Sequence, residues 1–171
     1  YFIFLLMVAF NLYATGIEGQ KAPSFEVDEW IQTNGKPTLD IDDFKGKVVY
    51  LYGFQAWCPG CHSHGFPTLR TLSAHYKNNK DVAFVAVQTV FEGFSSNTIE
   101  AAKKIIKDYD LTMPVGHSGL NHKRSRLMIN YKTGGTPWTV IIDKKGIVRF
   151  NGFHLPIEDL VLMIDNLKAE M

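Results

Sequence analysis

The sequence predicts an α/β domain with a central mixed β-sheet flanked by helices. Two apolar runs, Val48–Phe54 and Val82–Val87, suit strands buried on both faces. Between them Phe66, Leu69, Leu72 and Tyr76 recur at helical spacing. Strand, helix and strand in that order make a parallel, right-handed unit. Near the end, Trp138–Ile142 and Ile147–Phe150 flank the turn Asp143–Gly146, which makes an antiparallel hairpin.

The chain has 171 residues, one domain's worth, with 46% hydrophobic and 20% charged residues, enough for a globular core. A formal net charge of +1 argues for no nucleic-acid partner. Two cysteines in this length are no disulfide scaffold and read as a site.

Residues Tyr1–Phe10, continued by Leu12 and Tyr13, are apolar, and no charge precedes Glu18. They are expected to be part of an export signal, or an uncleaved N-terminal membrane anchor. Residues 1–20 are therefore read as this segment plus a polar linker, and 21–171 as the folded domain. Either reading puts the domain outside the cytosol. Ala22-Pro23-Ser24-Phe25 opens the domain, and Asn34-Gly35 predicts a hairpin turn in an N-terminal extension.

Further along, Asn97-Thr98-Ile99-Glu100 has the form of a capping box. It opens a helix with Ile99, Ala102, Ile106 and Tyr109 on one face. Met113–Gly116 is expected to be a short strand, and His122–Tyr131 a helix. Ile157, Leu160, Val161, Ile164 and Leu167 give a final amphipathic helix, with Pro156 near its start and Lys168 near its end.

Both cysteines stand in Ala56-Trp57-Cys58-Pro59-Gly60-Cys61-His62, where the first buried strand gives way to a helix. The free N–H groups at a helix start favour an anion, by about 0.3–1 kcal/mol when exposed and up to about 2 when partly buried. A thiolate is the nucleophilic form of cysteine. The two-residue spacer lets the second sulfur reach the first and lets the pair close as a disulfide.

Trp-Cys-x-x-Cys after a buried strand, with Thr136-Pro137 some eighty residues later, resembles the active site of the TlpA-like branch of the thioredoxin family. Ala-Pro-x-Phe and the Phe44-Lys45-Gly46-Lys47 lead-in resemble that branch's N-terminal β-hairpin extension. The helix and strand between Val87 and Gly116 match its central αβ insertion. The resemblance implies a thioredoxin-like fold and a thiol–disulfide oxidoreductase of the bacterial cell envelope. It implies Cys58 as the attacking and Cys61 as the resolving cysteine, with no dissociable cofactor. Pro59 and Gly60 are implied to tune the reduction potential, and Trp57 to shield one face. Pro137 is implied to be cis, with the Thr136 backbone pairing with the substrate chain. Implied partners are protein thiols and disulfides and an upstream membrane or periplasmic electron donor. The family works mostly in reduction, including delivery to apocytochromes, which makes a reductant the expected direction.

The chain departs from the family in two places. It carries one extra residue in His62-Ser63-His64-Gly65-Phe66 before Pro67. It has Tyr52 where plain thioredoxin has a buried aspartate, and a phenol is a poor base at neutral pH. Glu92 is a second candidate base. His62 and His64 are read either as groups that charge or hydrogen-bond the site and shuttle protons, or as solvent-facing side chains.

Three rival readings stand beside this one. Cys58-x-x-Cys61-His62 also spells a c-type haem attachment site, with Met113 or Met128 as distal ligand. The two thiolates suit Cu(I), which would make a metal carrier, although no third ligand follows from spacing. A peroxiredoxin-like peroxidase needs Pro-x-x-x-Thr/Ser-x-x-Cys. Leu51 and Gln55 fill those positions before Cys58, and Phe54 and Cys58 fill them before Cys61, so that motif is absent.

Overall fold

The computed structural model describes residues 16–33 and 35–170. The export-signal or anchor expectation falls on residues 1–15, outside the described residues. Among the described residues no helix is long and apolar enough to cross a membrane.

Six strands form one mixed sheet. They are β1 (Glu29–Gln32), β2 (Val48–Phe54), β3 (Val82–Thr89), β4 (Val115–Ser118), β5 (Trp138–Ile142) and β6 (Val148–Gly152). Their order across the sheet is β1-β4-β3-β2-β5-β6. Strands β2, β3 and β4 run parallel; β1, β5 and β6 pair antiparallel to their neighbours. The helices are α1 (Phe66–His75), α2 (Ile99–Asp108), α3 (Arg126–Tyr131) and α4 (Ile157–Ala169).

Every residue of β2 is buried, as a central strand covered on both faces requires. Its side chains alternate between two cores. Val48, Tyr50, Tyr52 and Phe54 pack with Leu69 and Leu72 of α1, Ile105 of α2 and Leu160 and Ile164 of α4. Val49 and Leu51 pack on the other face with Phe25, Leu127 and Tyr131. The sheet is thus the middle of three layers, and β2 carries the cysteine loop out of its centre.

The structure corrects three sequence expectations. After Gly35 no second strand forms, so the expected N-terminal hairpin is absent among the described residues. Strand β1 pairs instead with β4, because the inserted strand presents a free edge there. Glu18–Lys21 is not a linker. Gly19 donates to the Val148 carbonyl, Lys21 bridges Ile147, and Ile17 is buried beside them. Helix α3 begins at Arg126 rather than His122, because Asn121 and His122 both have positive φ, and Ser125 caps the helix by accepting from the Met128 N–H. In α2 the expected face holds, with Ala102 buried and Ile106 and Tyr109 packed against the core, and Ile105 joins it.

Asn151 in β6 ties several of these pieces together. Its Oδ1 accepts from the Trp138 indole at 2.6 Å, and its Nδ2 donates to the Tyr131 carbonyl at 2.7 Å. Its backbone N–H donates to Glu18 at 3.0 Å. Asn151→Ala leaves an indole N–H and a carbonyl buried without partners, at about 1–3 kcal/mol for each. Urea unfolding is expected to show a loss of that order.

Candidate active site

Chain geometry places the two sulfurs before any side-chain chemistry does. At the end of β2 the chain turns through Gln55–Trp57, and the Cys58 N–H donates to the Gln55 carbonyl at 3.1 Å. Helical structure starts at Pro59, where a missing N–H costs nothing and the fixed φ fits. Cys58 therefore occupies the capping position, and its carbonyl accepts from the N–H groups of Cys61 at 3.1 Å and His62 at 3.3 Å. The Cys61 N–H is shared between the Cys58 carbonyl, at 3.1 Å, and the Cys58 sulfur, at 3.4 Å.

The Thr136–Pro137 peptide bond is cis. The Thr136 carbonyl accepts from the Cys58 thiol at 3.4 Å. Gly60 makes this approach possible, since a Cβ there would stand 3.1 Å from the Pro137 ring. The loop thus brings Thr136 and Pro137 against the cysteine turn from the start of β5, the strand paired with β2.

Both cysteines are free, and they differ in environment. Cys58 is 7% exposed and Cys61 is fully covered. Burial pushes the Cys61 thiol up from a usual 9.0 to about 12, and its contact with Cys58 adds to the rise. Cys61 is held as a thiol, with Cys58 the outer sulfur.

Tyr52 stands under this pair. Its hydroxyl lies beside the Cys61 sulfur yet is buried without a hydrogen bond of good geometry to any group. Burial first, and the neighbouring Cys61 second, hold the phenol protonated well above its ordinary range. It is no base, but it can donate to a thiolate formed at Cys61. Glu92 lies exposed on the loop after β3.

The extra residue before Pro67 is absorbed in a π-helical turn, Cys61–Gly65, closed by the Phe66 N–H donating to the Cys61 carbonyl. Pro67 then sits in the first turn of α1, where it does no harm. Gly65 is the only residue type that fits its place: a Cβ would lie 1.8 Å from the Tyr52 hydroxyl.

Neither nitrogen of His62 faces the sulfurs, contrary to the expectation that it charges the site. Nε2 meets the Ala56 carbonyl at 2.7 Å and Nδ1 meets the Tyr109 hydroxyl at 2.7 Å. His64 is exposed, bonds Ser63 through Nδ1 at 2.7 Å, and packs its ring near His154. The expected proton shuttle finds no path through these contacts.

Sequence reasoning missed the supports of the cysteine turn. Asn97 does not cap α2; Thr98 does, accepting from the Ala101 N–H. Asn97 is buried and accepts from the Ala56 N–H at 2.7 Å. Buried Gln55 accepts from the Trp57 indole at 2.7 Å and donates to the Thr89 carbonyl at 3.3 Å. Trp57 is 48% exposed beside Cys58, and Phe153, 55% exposed, packs on Trp138 and against Gly135 ahead of the cis bond. No periodicity announces these residues; only the polar Gln55 at the end of an apolar strand was a visible signal.

Strand order, the cis-proline loop and two sulfurs at a helix start define a thioredoxin-like protein. The family described as Redoxin matches residues 17–160, and the chain belongs to it, as the resemblance to TlpA-like proteins anticipated. The chain is 31% identical over 128 residues to the thiol-disulfide oxidoreductase ResA of Oceanobacillus iheyensis, covering 75% of this chain and 60% of that one. It is 32% identical over 130 residues to ResA of Bacillus cereus, covering 76% and 66%. The match thus spans about three-fifths to two-thirds of these relatives' length. Among solved structures, a thiol-disulfide isomerase from Corynebacterium glutamicum superposes with a TM-score of 0.77 at 30% identity, over 88% of this chain and 98% of that one.

Two outcomes follow from this geometry. Gly65→Ala forces the Tyr52 ring or the turn to move, at about 1–3 kcal/mol or more, and Tyr52→Phe in the same chain recovers part of it, as thermal unfolding will show. The reduced protein also loses stability as pH rises. Above the usual thiol value the unfolded chain sheds the Cys61 proton while the folded chain keeps it, so the contribution is full below about pH 9 and drains away toward about 12. Urea midpoints of the reduced protein are expected to fall from about pH 9 upward more steeply than those of Cys61→Ser.

Proposed function

We propose that the chain is a thiol–disulfide oxidoreductase that acts on protein substrates outside the cytosol, more readily as a reductant. The observation that carries this reading is the asymmetric sulfur pair. Cys58 is the outer sulfur and faces a backbone N–H, while Cys61 lies buried behind it and stays protonated. The relatives' names and the TlpA-like resemblance support the same reading.

The Cys58 thiolate attacks one sulfur of a substrate disulfide. A Cys58–substrate disulfide forms, and the other substrate sulfur leaves as a thiolate. Cys61 then gives its proton to the substrate thiolate just released, with Tyr52 as the adjacent donor to the Cys61 anion, and attacks the Cys58 sulfur. The second substrate sulfur leaves, the substrate has gained two electrons, and the Cys58–Cys61 disulfide has formed. An upstream dithiol restores it by the same exchange in reverse. An extended substrate chain lies along the Thr136–Pro137 loop, with Trp57 beside it.

The placement of side chains does not favour the rivals. Both His62 nitrogens are engaged within the protein, and Met113 and Met128 are buried in the cores, so the haem reading lacks its axial ligands. Among the described residues no group of three or more His, Cys, Asp or Glu side chains is placed to hold a metal ion.

With a disulfide-bonded protein substrate and dithiothreitol, the unsubstituted chain is expected to catalyse reduction. Cys58→Ser should abolish it, and reduced Cys61→Ser mixed with the substrate in the absence of dithiothreitol should trap a covalent complex through Cys58 that added thiol releases. Full activity in Cys58→Ser would overturn the reading. Equilibration with glutathione is expected to place the pair toward the reducing end of the roughly −270 to −120 mV range of this fold.

A further inference from the structure

Ala56, two residues before the outer sulfur, is held on both sides. Its N–H is taken by Asn97 and its carbonyl by His62. A carbonyl only accepts, so His62 carries its proton on Nε2. In the neutral ring Nδ1 is then an acceptor, and the Tyr109 hydroxyl donates to it. One imidazole thus joins three pieces of chain: the segment leading into Cys58, the turn that carries Cys61, and the C-terminal end of α2.

The wide turn is what puts the ring there. Removing its extra residue would rotate Cys61 and His62 by about 100° relative to Phe66 and Leu69. With the extra residue, Phe66 keeps its place in the core while His62 reaches back to Ala56. The ring also packs edge-on against Phe66, at 5.5 Å between centroids, and Tyr109 stacks on Phe66 at 4.4 Å. The same insertion places Gly65 under the Tyr52 hydroxyl.

We propose that His62 is a positioning residue for the sulfur pair. It holds the frame of Cys58 to the frame of Cys61, and Tyr109 fixes the tautomer that lets it do so. The proposal rests on the thiol–disulfide reading. Closure of the pair is an intramolecular step, so its equilibrium against glutathione is an effective concentration set by how little freedom the two sulfurs have left to lose. Loosening Ala56 from the Cys61 turn lowers that concentration. It also slows attack by Cys61 on a mixed disulfide. No proton or electron passes through His62 in either step.

His62→Phe keeps a ring against Phe66 and removes both hydrogen bonds. His62→Gln returns an N–H donor toward the Ala56 carbonyl. Tyr109→Phe removes only the partner of Nδ1. The measurements are the Cys58–Cys61 equilibrium with reduced and oxidised glutathione, and the unfolding stability of the dithiol and disulfide forms. His62→Phe is expected to lower the effective concentration by about fivefold or more. His62→Gln should return it to within about twofold of the unsubstituted chain. An unchanged equilibrium in folded His62→Phe, with equal stability loss in both forms, would reduce His62 to packing and overturn the proposal. Should His62→Phe fail to fold, Tyr109→Phe decides the matter: a lowered effective concentration supports the proposal and an unchanged one overturns it. An unsubstituted chain that forms no intramolecular disulfide would defeat the thiol–disulfide reading itself.

Discussion

The Cys61 N–H directed at the Cys58 sulfur is the contact to which the other parts of the site are fitted. It exists because a strand buried on both faces ends where a helical turn begins. Burial fixes β2, so the exit point of the chain cannot wander, and Pro59 starts the turn at once. The Thr136 carbonyl closes the other side of the sulfur, and Gly60 leaves room for the loop that carries it. An outer sulfur at the start of a turn, within reach of one N–H and in front of an inner sulfur kept as a thiol by burial, is an arrangement suited to attack followed by resolution.

Around that contact the protein spends polar groups freely. Gln55 and Asn97 are buried, and His62 reaches back across the turn; each makes a hydrogen bond to the segment Gln55–Trp57. Buried polar side chains are tolerated when their partners are supplied, and a networked loop is stiffer than an apolar one. Tyr52 is the exception, with a hydroxyl that lacks a good partner next to the inner thiol. An unsatisfied donor beside a group that must become an anion is poised for that anion rather than for the resting state.

Much of the fold was readable because it follows from period. The apolar runs of β2 and β3 and the Phe66–Tyr76 spacing carry their own geometry, and the sulfur pair is marked by its spacing and by the strand before it. The errors arose where period gives no information. Asn34-Gly35 is a good turn, yet turn chemistry alone does not supply a second strand, and the free edge of β4 captured β1 instead. Asn97 has the composition of a cap, but the neighbouring Thr98 took that role and released Asn97 for the cysteine loop. The partners of His62 are 6 and 47 residues away in sequence, so no local reading of Cys-His would find them.

Differential labelling tests the central claim most directly. The reduced, folded protein is treated with a limiting amount of iodoacetamide and each cysteine is quantified by peptide mapping. The account predicts that Cys58 takes up the label while Cys61 stays unmodified until the chain is unfolded. Equal labelling of the two in the folded protein, or faster labelling of Cys61, would contradict it.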